Sequence, residues 1–141
     1  MIWIGIDTGV HTGIAVWDST QQRLVECMTM KIHEALLYVI NANKSCQGDL
    51  TVVLEDARMR RWIPREGSVA EWKGRAMGAG SVKRDATIWE DFLKDYRIPY
   101  VLQPPKAGLT KWTTDAFARV TGWKERTSNH ARDAAMLVFG R

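Results

Sequence analysis

Over the first residues of the chain Ile2, Ile4 and Ile6 alternate with Trp3 and Gly5. This period of two predicts a strand, and Gly9 and Gly13 punctuate the connection to a second one at residues 14–17. Residues 18–22 are polar turn material. Leu24, Val25, Cys27 and Met28 then supply a third strand, so residues 1–29 read as an antiparallel meander. Ile32, Leu36, Leu37, Val39 and Ile40 recur at helical spacing until the polar stretch at 43–48. Residues 50–54, Leu-Thr-Val-Val-Leu, are apolar and β-branched without alternation, the pattern of a buried strand pairing beside the first. Between 66 and 96, Val69, Trp72, Ala76, Ala79, Val82, Ile88, Trp89, Phe92 and Leu93 mark one long helix. Gly74, Gly78 and Gly80 weaken its middle, allowing a break near Gly80, a kink, or close approach of a second helix at a dimer seam. A last strand at 99–102 is stopped by Pro104 and Pro105, and helices follow at 110–121 and 128–139. The order βββ-α-β-α-β-α-α is mixed α/β: a five-stranded sheet, antiparallel meander plus parallel strands, flanked by helices.

Length and composition agree with that class. The 141 residues, 45% hydrophobic and 26% charged, suit a single folded domain over 1–141 rather than a disordered chain. No stretch approaches the ~18 apolar residues of a membrane span, and no basic leader precedes the first strand, which makes the cytoplasm the expected compartment and a membrane no partner. Cys27 and Cys46 lack the paired spacing of a zinc site or a disulfide framework, so both are expected as reduced thiols.

Charge changes the picture more. The net +4 is local: residues 1–57 hold three Lys or Arg against seven Asp or Glu, residues 58–84 eight against two, and residues 85–141 nine against seven. Arg58, Arg60, Arg61, Arg65, Lys73 and Arg75 belong to the basic band. A band of this kind beside an acidic region suits a polyanion held next to a cation site; its plain alternative is a solvated surface face.

The candidate chemistry lies in the acids. Asp7 ends the first strand, and Glu55 and Asp56 end the buried fourth. Adjacent strand residues face opposite ways, so only one of the pair can point toward Asp7; Glu55 is chosen, with Asp56 as the alternative. His130 and Asp133, three apart on the last helix, lie about 60° apart around its axis and about 4.5 Å along it, and both can address one site. Taken singly, each has a plainer reading: a solvated strand end, a histidine lining a helix start, an aspartate paired with Arg132 or Arg126. Taken together, Asp7, Glu55, His130 and Asp133 suit phosphodiester hydrolysis, in which carboxylates hold one or two divalent ions roughly 3.5–4 Å apart.

Gly-Ile-Asp-Thr-Gly at 5–9, the strand ending in Glu55, and His-Ala-Arg-Asp-Ala at 130–134 together resemble the RuvC-type Holliday junction resolvases, in particular the shorter forms of phages and prophages. The match runs in order through nearly the whole chain, and the last motif is its most specific part. The resemblance implies an RNase H-like fold and a homodimer in a bacterial or phage-infected cell. Its two active sites would nick opposing strands of a four-way DNA junction with Mg²⁺ or Mn²⁺, two ions per site. Asp7, Glu55 and Asp133 would be ligands, with His130 ligating the second metal or moving a proton. A basic residue ahead of the last helix would contact the cleaved phosphate, here Lys111, with Lys106 and Lys124 as alternatives. Where cellular resolvases carry an aromatic residue after the second acid, this chain has Arg58. Trp62, flanked by Arg60, Arg61 and Arg65, is the candidate to stack on an unpaired base, or else a core residue. Competing readings are a monomeric RNase H-like nuclease acting on structured RNA, a fragment of an actin-like ATPase, and a non-catalytic module that binds branched DNA.

Overall fold

Strand β1 (Ile2–Asp7) takes the middle of a five-stranded sheet in the computed structural model, which describes residues 1–60, 67–106 and 111–141. On one side β2 (His11–Asp18) pairs antiparallel with β1, and β3 (Arg23–Lys31) antiparallel with β2. On the other side β4 (Leu50–Glu55) runs parallel to β1, and β5 (Tyr100–Gln103) parallel to β4, giving the order β3-β2-β1-β4-β5. The helices are α1 (Ile32–Ser45), α2 (Val69–Asp95), α3 (Thr114–Thr121) and α4 (Asn129–Val138), and a single 3₁₀ turn, Ala57–Met59, follows β4. The mixed α/β class and the meander feeding parallel strands are those that the hydrophobic pattern predicts.

Alternation along the strands sorts the core into two layers. Ile4, Ile6, Ile14, Val16, Val52 and Leu54 face α1 and α2, where Ala35, Val39, Trp89 and Leu93 meet them. Ala15, Trp17 and Val53 face the opposite way, onto Phe117 of α3 and Ala131, Ala134, Ala135 and Val138 of α4. Nearly all of these side chains are fully buried, each of the large ones stabilising the fold by roughly 1.5–3 kcal/mol. Cys27 and Cys46 are free thiols, and Cys27 donates to the carbonyl of Ala131 under α4.

Local chemistry sets the ends of the helices. Thr113 and Ser128 cap α3 and α4 by accepting from the amides of Ala116 and Ala131, and Gly122 ends α3 in the left-handed region at φ 73°. α2 begins with a reciprocal capping box between Ser68 and Glu71 and runs unbroken for 27 residues, so no interruption occurs at Gly80. A Cβ built on Gly74, Gly78 or Gly80 would meet nothing, and the buried residues of α2, Asp85, Ala86, Trp89 and Leu93, all lie in its second half. Packing on the sheet thus anchors that half. Among the described residues no helix is long and apolar enough to cross a membrane.

Candidate active site

Strand parity decides between the two neighbouring acids at the end of β4. Residues 50, 52 and 54 face α1 and α2, so Glu55 faces α4, as Asp7 does at the end of β1. The parallel register pairs Ile6 with Leu54, so Asp7 and Glu55 follow side by side off the same edge of the sheet. Asp56 turns to the other face, where it is 2% exposed and bound to Arg58.

α4 completes the group because two glycines let it come unusually close. A Cβ on Gly5 would overlap the carbonyl oxygen of Ala134, and one on Gly13 the carbonyl oxygen of His130. With the helix seated directly on β1 and β2, Nδ1 of His130 lies 2.9 Å from Oδ2 of Asp7, and an Nδ1–H donates to that carboxylate. Asp7, Glu55, His130 and Asp133 line one cleft of about 480 Å³. Lys106, Lys111 and Arg60 surround the acids, and Met136 and Leu137 form an apolar wall.

The electrostatics are those of carboxylates partly removed from water and set near one another. Burial raises the pKa of Asp7, Asp133 adds to the shift, and the His130 hydrogen bond and Lys111 oppose it. Burial also pushes Glu55 up, to about 7, with the charges of Asp7 and Asp133 acting in the same direction against Arg60 and Lys106. Extra positive charge in the cleft is therefore favourable. Among the described residues no three His, Cys, Asp or Glu side chains are already gathered as a metal cage. Asp7 is instead engaged with His130.

Of the residues singled out in the sequence, Asp7, Glu55, His130, Asp133, Lys111 and Arg60 meet at the cleft, together with Lys106. Lys124 is exposed and does not line it. Arg58 is a partly exposed residue just past the end of β4. Its guanidinium is held by Asp56 at 2.8 Å and Glu90 at 2.6 Å, so it ties the turn after β4 to α2. Lys73 and Arg75 are exposed on α2, whereas Arg61, Trp62 and Arg65 lie outside the described residues. Asp133 forms no ion pair with Arg132 or Arg126 among the described residues. Arg132 is buried and donates to the carbonyls of Trp112 and Thr127 and to Oδ1 of Asn129, binding the segment after Lys111 to the start of α4. Thr8, Trp112 and Met136 also line the cleft and carried no signal of their own, apart from the adjacency of Thr8 to Asp7 and of Trp112 to Lys111.

The sequence matches no model of a known protein family, and a search of curated proteins finds no match.

Proposed function

We propose that the protein is a divalent-metal-dependent endonuclease with an RNase H-like fold, of the RuvC resolvase type, which hydrolyses phosphodiester bonds in branched DNA. One observation carries the reading: three carboxylates from β1, β4 and α4 line a single cleft rimmed by Lys106, Lys111 and Arg60. Partly buried anions gathered beside cations suit a metal ion and a phosphate sharing one site.

The donor chemistry fits a hard cation. Asp7, Glu55 and Asp133 offer carboxylate oxygens and His130 an imidazole nitrogen, and the pKa values of Asp7 and Glu55 are raised first by burial and then by neighbouring negative charge, both of which a bound cation would offset. When bound, one or two Mg²⁺ or Mn²⁺ ions would activate water and neutralise charge on the scissile phosphate.

The chain's own groups have separable tasks. Lys111, Lys106 and Arg60 draw in and hold phosphate oxygens. His130, with Nδ1 on Asp7, has Nε2 left either to ligate the second ion or to exchange a proton. Met136 and Leu137 keep one wall of the cleft apolar. The exposed apolar side chains of Val69 and Met77 in the first half of α2 support a homodimer through this helix.

The deciding assay offers matched four-way, three-way and linear DNA, and a structured RNA, to the purified protein with Mg²⁺ or Mn²⁺. Paired nicks in four-way DNA that require metal are the expected result. Failure to cut any branched DNA with either ion ends this reading, and cleavage of structured RNA alone by a monomer would move it to RNA processing.

A further inference from the structure

A second depression, of about 330 Å³, opens beside the cleft along α2 and shares Glu55, Arg60, Val82 and Pro105 with it. Gly78, Val82 and Pro105 line it with apolar surface, and the cations Arg75, Lys83 and Arg60 line it beside them. Among the described residues none of these three cations is in an ion pair. Arg75 and Lys83 are eight residues apart on one helix, about 12 Å along its axis, with Gly78 and Val82 between them. An apolar step bounded by cations complements one chemistry well: a flat apolar base with phosphates on either side.

We propose that this groove is a subsite for single-stranded DNA, taking the nucleotides that continue from the phosphate in the cleft. One unstacked base lies on Gly78, Val82 and Pro105, and the flanking phosphates lie on Arg75 and Lys83. A duplex keeps its bases stacked and offers no base face to such a surface. This subsite rests on the nuclease reading for its purpose, and its binding chemistry is testable without hydrolysis.

Gly78 makes the test clean. A Cβ there meets nothing, so a larger side chain fills the groove without straining the fold, and glycine in mid-helix is the less stable choice. Gly78→Leu should keep or raise the melting temperature while weakening metal-free binding of a labelled twelve-nucleotide oligo-dT about tenfold, read by anisotropy. Moving one abasic nucleotide along the strand should expose a position where wild type loses about as much and Gly78→Leu loses nothing further. Arg75→Gln and Lys83→Gln should each lower the salt slope by about 0.7. Unchanged affinity in Gly78→Leu with a flat abasic scan overturns the proposal, as does equal competition by an oligoglutamate of matched charge. These readouts stand apart from cleavage: a protein that cuts junctions but ignores Gly78→Leu loses only the subsite. One that binds strands through the groove and never cuts loses only the nuclease.

Discussion

Gly13 and Gly5 contribute to the candidate site through what they lack. Each lets a backbone carbonyl of α4 occupy the space of a side chain, and that seating brings His130 to Asp7. Gly13→Ala must move the backbone of His130 rather than a flexible side-chain end. It should cost about 2–3 kcal/mol in denaturant unfolding and lower cleavage as well. At Asp7 the expected effects separate differently. Asp7→Asn keeps the shape of the side chain and removes a partly buried negative charge near phosphate, so it should reduce cleavage at least about a hundredfold and leave junction binding intact or tighter. Wild-type turnover by this variant would remove Asp7 from the chemistry. At this scale the acids were legible, because strand ends and a three-residue helical spacing are local signals. The glycines under α4 were not, since nothing in the neighbourhood of residue 5 or 13 announces which carbonyl will arrive above it.

The turn after β4 and α2 act as one unit through Arg58. Its contacts join Asp56, nearly inaccessible to solvent, to Glu90, which also accepts from the Tyr100 hydroxyl and pairs with Lys94. Arg58→Ala leaves the Asp56 carboxylate buried without its partner and should destabilise the protein by about 2–3 kcal/mol, with little change in the salt dependence of DNA binding. Arg60→Ala should do the reverse, because it reaches the cleft and makes no ion pair among the described residues. Composition placed both arginines in one basic band; only a contact across 32 residues separates them. The long helix shows a similar limit. Its apolar spacing was readable, but its continuity through three glycines is not a local property, since a capping box at one end and a packed half at the other outweigh a weak middle.

For the molecule as a whole, two carboxylate groups pull stability in opposite directions with pH. Arg58 holds Glu90 down at about 2, so that contribution is complete above an ordinary glutamate pKa near 4.5 and is lost as pH falls toward 2. Glu55 is held up at about 7, so its neutral form favours folding below about 4.5, and that advantage disappears as pH rises through 7. Metal-free protein should therefore be most stable near pH 5 and lose on the order of 2 kcal/mol by pH 8. Glu55→Gln should flatten the upper limb. Mg²⁺ should raise the melting temperature more at pH 8 than at pH 5, because the ion competes with protons for the same oxygens. Equal stabilisation by Mg²⁺ at both pH values would argue against binding at this cleft. The sheet order brings distant acids to one edge. That edge is assembled from the beginning, middle and end of the chain, so a growing polypeptide still on the ribosome holds only Asp7 and Glu55 until α4 emerges and docks. All four groups can act together only once the segment carrying His130, 123 residues after Asp7, has been made and seated.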